Sequence, residues 1–148
     1  MASDFAKLNS TITDADLDAA WQDRLEDATA LDAGGRHASA IAARLYALEI
    51  YLKFRICQRL GIANPPKKLE IHALDALVLF SGLSTALDAI PKADAVRVNW
   101  RNIMEFSRDL TDLRYRPASR WTQQQSDDFA HWLLDPSTGV LPWLQNQK

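Results

Sequence analysis

The sequence predicts an all-α fold, an up-down antiparallel helical bundle of four main helices plus a C-terminal helix. Three observations carry that prediction. Apolar residues recur at steps of three and four in successive stretches, the period of an amphipathic helix. Glycine and proline are scarce, 5 and 6 in 148 residues, and they punctuate those stretches. No stretch alternates apolar and polar residues as a half-buried strand would. Short connections between the helices favour antiparallel neighbours.

Residues 1–13 read as a flexible lead-in, and 14–148 as a single bundle domain. Thr13 precedes Asp14 and Asp16, which predicts an N-cap with acids in the first turn. Leu17, Trp21, Leu25, Ala28 and Leu31 then mark the inner face of a first helix, and Gly34-Gly35 ends it. A second helix is expected from about Arg36 to Leu60, stopped by Gly61. Its seam is Ile41, Leu45, Leu48, Leu52 and Ile56, widened by Tyr51 and Phe54. Its alanines (38, 40, 42, 43 and 47) keep the first half slim, so a neighbouring helix can approach closely. This longest element should be the central one.

Asn64-Pro65-Pro66 reads as a rigid connector with Lys67 and Lys68 solvated behind it. A third helix is expected over about Glu70–Phe80 and is broken by the SGLS run at 81–84. A short helical piece follows at about Thr85–Ile90, before Pro91. The fourth helix is expected over about Lys92–Asp112, with Val96, Trp100, Ile103, Ser107 and Leu110 on one stripe. A fifth starts near Thr122, where TQQQ resembles a capping box, and ends at Asp135-Pro136. It should bury Phe129, Trp132 and Leu133, and the tail should add one turn that docks Trp143.

The net charge of −2 does not mark the whole chain as a nucleic-acid binder. Its distribution is uneven: residues 1–35 hold eight acids and two bases, and the remainder holds eleven acids and fifteen bases. An acidic first segment and a basic remainder could pair within a dimer, or leave a basic groove open. The single cysteine, Cys57, lies in an apolar stretch and excludes an intrachain disulfide framework. The first residues have no basic-then-apolar signal pattern, and no apolar run approaches ~18 residues. A cytoplasmic protein without membrane contact is the expectation.

Few motifs carry chemistry. GGRH at 34–37 lacks a preceding strand and the spacing of a nucleotide-binding loop. His37, His72 and His131 are too far apart to read as a zinc site, so no metal or other cofactor is expected. His37 is expected at the surface, His131 interfacial or exposed, and His72 in the first turn of the third helix, bonded to backbone or to Asp75. No Ser/His/Asp set has a supporting motif. Glu49 and Lys53 stand four apart in an otherwise apolar run, ALEIYLKFRIC. An exposed pair of this kind contributes only ~0.3–0.5 kcal/mol. Partial burial would instead require further partners, with Arg108 or Arg114 the expected third member. RDLTDLRYRP at 108–117 gathers Arg108, Arg114, Tyr115 and Arg116, a combination suited to phosphate contact and base stacking. The ligand-binding candidates are therefore Glu49, Lys53, His72, Arg108, Arg114 and Tyr115.

These residues bring the chain close to a known family. GGRHASAIAARLYALEIYLKFRICQRLG resembles the first-to-second-helix passage of HEPN domains, small helical proteins found mainly in prokaryotes. LEIHALDALVLFSGL resembles a passage usually phrased His-Asp-Leu, with Ala73 where Asp is expected. Trp100 and Arg114-Tyr115 resemble the family's Trp and Arg-Tyr before the closing helix. The resemblance spans roughly residues 15–135.

It implies a helical bundle that dimerises through its second and fourth helices, with active members acting as metal-independent endoribonucleases. Their motif is Arg, four to six residues, then His, with histidine moving a proton and arginine stabilising phosphate charge. That motif is missing: Leu113, Arg114 and Tyr115 stand where Arg108 would need its histidine. The leading expectation is a non-catalytic, homodimeric binding or regulatory module for a nucleotide or RNA phosphate. The resemblance places it in a toxin–antitoxin or antiphage locus, beside a nucleotidyltransferase-type partner. The alternatives are a divergent ribonuclease using His72 or His37, and a pure protein-interaction partner.

Overall fold

Two long helices lie antiparallel along their whole length and form the frame of the molecule. The computed structural model describes residues 11–108 and 110–148. The lead-in expected over 1–13 lies outside them for residues 1–10, as do Asp109 and the side chains of Leu110, Thr111 and Asp112 in the expected fourth helix. Helix α1 is Asp14–Ala33 and α2 is His37–Leu60. Both ends of the hairpin are tied: His37 meets Asp32 at the turn, and Gln58 donates to Asp14 at the open end. Thr13 caps α1 with the reciprocal Asp16 bond of a capping box. Gly61 ends α2 at φ 63°, a left-handed conformation that glycine adopts without strain.

The alanines of α2 let α1 come close, as expected: Ala28 of α1 packs with Ala40 and Ala43, with Leu31 beside them. The opposite side of α2 carries the core. Ile41, Leu45, Leu48, Leu52 and Ile56 are each at most 3% exposed. Burying a side chain of this size contributes about 1.5–3 kcal/mol, so this seam is a main source of stability.

Around that spine lie α3 (Leu74–Phe80), α4 (Ser84–Ala89), α5 (Ala95–Arg108), α6 (Leu110–Tyr115), α7 (Gln123–Leu134) and α8 (Val140–Gln145). The chain is all-helical, with no strand among the described residues. Helix α7 packs on both α2 and α5, and α8 packs on α7 and α5. Phe106, Trp121, Phe129 and Trp132 meet there, with ring centroids 5.5–6.2 Å apart. The α7–α8 turn is close-packed: a Cβ on Gly139 would lie 2.5 Å from the Asp135 carbonyl oxygen.

Boundaries differ from expectation at the start of the third helix and at both ends of the fourth: in place of one helix to Asp112, α5 ends at Arg108 and α6 runs from Leu110 to Tyr115. The third helix begins at Leu74, not Glu70, because Ala73 is extended (φ −72°, ψ 108°). The fourth begins at Ala95, not Lys92, because the Asp94 side chain accepts from the Val96 N–H, the bond of a helix start.

A buried ionic network not anticipated from the sequence joins α1, α2 and α7. Arg44 Nη2 donates to Asp32 Oδ2 at 2.7 Å, and Arg44 Nη1 donates to Ser126 Oγ at 2.9 Å. Ser126 Oγ donates to Asp32 Oδ1 at 2.6 Å, and His37 Nδ1 lies 3.0 Å from the same oxygen. His37, expected at the surface, is thus drawn inward, with its side chain 18% exposed. Burial alone would raise the Asp32 pKa. The bonds from Ser126, His37 and Arg44, with the Arg44 charge, outweigh it and hold that carboxyl below its ordinary value. Arg44 Nε is buried without a partner among the described residues, so loss of Asp32 would leave the guanidinium poorly satisfied.

Asp32→Asn is therefore expected to lower the urea midpoint by an amount equivalent to about 3 kcal/mol. Joint replacement of Asp32 and Arg44 by apolar residues should cost much less than the two single losses added together. The folded pKa of Asp32 lies below its unfolded value of 3.8. Its stabilisation is then complete above about pH 4 and lost as pH falls through the folded value. Urea midpoints measured from pH 6 downward should fall less steeply in Asp32→Asn than in the parent.

Candidate functional site

The charges at Glu49 and Lys53 sit on the side of α2 away from the leucine seam. Tyr46, Glu49, Ile50 and Lys53 follow one another at helical spacing and share that side. Glu49 is 9% exposed, so its carboxylate needs partners. Lys53 Nζ donates to Glu49 Oε1 at 2.7 Å, and His72 Nδ1 lies 2.7 Å from the same oxygen. A carboxylate only accepts, so His72 is the donor in that bond.

The connector explains how His72 arrives there. Leu69 is buried at the end of a 3-10 turn (Lys67–Leu69), and Ile71 is half-buried against the core. With Ala73 extended, His72 is not the first-turn helical residue expected, and its partner is Glu49 rather than backbone or Asp75. Its side chain stays 73% exposed.

Arg114 approaches the same side from α6, donating to Tyr46 Oη over 3.4 Å. That hydroxyl, and more distantly the Glu49 carboxylate, hold the Arg114 pKa above its ordinary value. Arg24, Tyr46, Glu49, Ile50 and His72 enclose a cleft of about 220 Å³.

The structure divides the remaining candidates. Arg108 belongs to a second concavity of about 450 Å³, lined with Asp75, Lys92, Arg97, Trp100, Arg101 and Met104. It is not the third member of the Glu49 pair; His72 takes that place, with Arg114 at the edge. Tyr115 is 80% exposed and joins neither cleft. Arg97 is partly tied, donating to the Leu87 carbonyl and lying 3.3 Å from Asp88.

The groove escaped sequence reading, although a signal was present. Residues 97, 101, 104 and 108 are spaced by four, three and four, one stripe of α5 beside the buried stripe of Val96 and Ile103. The two concavities are neighbours in the chain: His72 lines one and Asp75 the other.

Among the described residues no group of three or more His, Cys, Asp or Glu could hold a metal ion. No helix among them is long and apolar enough to cross a membrane.

Glu49→Ala removes two short bonds to cationic or polar donors and leaves Lys53 half-enclosed. It should lower stability by about 2 kcal/mol in urea titration. His72→Ala, at an exposed end of the same network, should cost under about 1 kcal/mol. Equal losses for the two variants would contradict the burial difference between them.

Comparison with protein-family models, with curated proteins and with solved structures finds no match to this chain.

Proposed function

We propose that this chain is a HEPN-like, non-catalytic module that binds the phosphates of single-stranded RNA or of a nucleotide. In this reading α1, α2, α3 and α5 stand for the four main helices of an up-down bundle, and α7 is the C-terminal helix. The observation that carries the reading is the α5 groove. Four cations, Lys92, Arg97, Arg101 and Arg108, face one acid, Asp75, around a concave space. The chain as a whole is net negative, so this is a local concentration of positive charge. Concave placement focuses the field and favours a bound polyanion over separately solvated side chains. Trp100 and Met104 add apolar surface on which a base can rest.

A second reading is favoured by one contact. An exposed imidazole whose Nδ1 is held by a carboxylate is the arrangement of an oriented general base, and His72 on Glu49 has it. That is the divergent ribonuclease. The homodimer, the nucleotidyltransferase-type partner and the toxin–antitoxin or antiphage setting rest on the family resemblance, the cytoplasmic location on the signal and membrane patterns missing from the sequence, and all belong to the same proposal.

Fluorescence anisotropy with a labelled single-stranded oligoribonucleotide tests the leading reading. Binding should weaken with added salt, and Arg101→Ala with Arg108→Ala should reduce affinity about tenfold or more and flatten the salt slope. Unchanged affinity in that double variant would remove the groove from the function. On a denaturing gel the oligomer should stay intact; cleavage abolished by His72→Ala would establish the ribonuclease instead.

A further inference from the structure

The cleft at Glu49 has a property that phosphate binding does not use. Lys53 and His72 both occupy Oε1. Glu49 Oε2 takes no hydrogen bond among the described residues and is not one of their solvent-inaccessible unpaired atoms, so it stays open to solvent on a residue that lines the cleft. A carboxylate oxygen has two acceptor positions, so this oxygen can exchange its water for N–H donors of a ligand. Tyr46 and Ile50 supply aromatic and aliphatic walls beside it. At about 220 Å³ the space is smaller than a drug-sized pocket, which suits one ring system with the rest of the molecule outside.

Nucleobases differ in what they show a single carboxylate oxygen. The amino groups of adenine and cytosine sit beside a ring-nitrogen lone pair, and the N3–H of uracil lies between two carbonyl oxygens. Each of those neighbours repels a carboxylate. Guanine alone offers N1–H and N2–H side by side, with no acceptor between them. Bases of single-stranded RNA can be splayed out and read on this edge. Arg24, paired with Asp27 at 3.0 Å, lines the same cleft, and Arg114 meets its Tyr46, so two cations stand near the backbone of a base held there.

We infer that the Glu49 cleft is a guanine-reading pocket, holding one unpaired guanine of a single-stranded RNA through Glu49 Oε2 while the α5 groove holds neighbouring phosphates. The inference rests on the phosphate-binding reading and names the base that this module selects.

The test compares labelled oligouridylates carrying a single central guanosine, inosine, adenosine or cytidine with plain oligouridylate. The guanosine oligomer should bind about tenfold tighter than the others, because a good base contact supplies discrimination of that order. Inosine keeps N1–H and lacks the N2 amino group, so it should lose most of the gain without any change to the protein. Glu49→Gln should bring all the oligomers to one affinity. Arg101→Ala with Arg108→Ala should weaken all of them together while the guanosine preference persists. Equal binding of every oligomer to the parent protein overturns the guanine pocket and leaves the phosphate groove standing. A preference that survives Glu49→Gln overturns it as well. No binding of any oligomer ends both readings at once.

Discussion

Helix α2 is enclosed by α1, α3 and α7, and two of its buried residues, Arg44 and Glu49, are charged. A charge taken out of water is costly unless its hydrogen bonds and its counter-charge are supplied nearby. Each of these residues therefore dictates what must lie beside it. Arg44 requires Asp32 from α1 and Ser126 from α7, which fixes how the helical hairpin meets the C-terminal half. Glu49 takes Lys53 from its own helix and His72 from the connector, whose path over residues 70–73 is set by the packing of Leu69 and Ile71 on the core.

The two systems end differently. Both oxygens of Asp32 are engaged, and Ser126 is fully enclosed, so that network works as a lock among three helices. Glu49 has one oxygen doubly engaged and the other without a hydrogen bond among the described residues, and it lines a cleft together with the exposed His72. Similar chemistry, a carboxylate partnered by a cation and a histidine, thus serves as structure where it is closed and as a candidate site where it is open. The difference is the third side: α7 seals the first, and a short, partly extended connector borders the second.

Helix α5 shows how one element can serve core and surface together. Val96 and Ile103 fix its orientation by burial, and Asn99 adds a bond to the Thr138 carbonyl at 2.9 Å that ties it to the α7–α8 turn. Once that face is held, Arg97, Arg101 and Arg108 are turned together toward Lys92 and Asp75. The cationic stripe is concave because the chain before α5 and the start of α3 rise on either side of it. Helical spacing puts the charges in line; packing makes them a groove.

Much of the frame was legible in the sequence because it depends on local rules. The Thr13 N-cap, the Thr122 capping box, the left-handed stop at Gly61, the α2 seam and the alanine face each follow from a few neighbouring residues and one helical period. The isolated charges at 49 and 53 could likewise be read as a pair in need of company. The sequence could not reveal which company, because His72 reaches Glu49 only if the third helix starts late, and that depends on where Leu69 and Ile71 find the core. Arg44 was hidden among alanines and leucines, and its partners stand 12 and 82 residues away. Arg108 was grouped with Arg114 by proximity along the chain, yet Arg108 lines the α5 groove while Arg114 meets Tyr46, because α5 and α6 present them to different neighbours. Helical period and caps are properties of short segments and were determined by sequence alone. The pairing of buried charges and the shape of the clefts depend on which segments meet, and only the tertiary structure decided that.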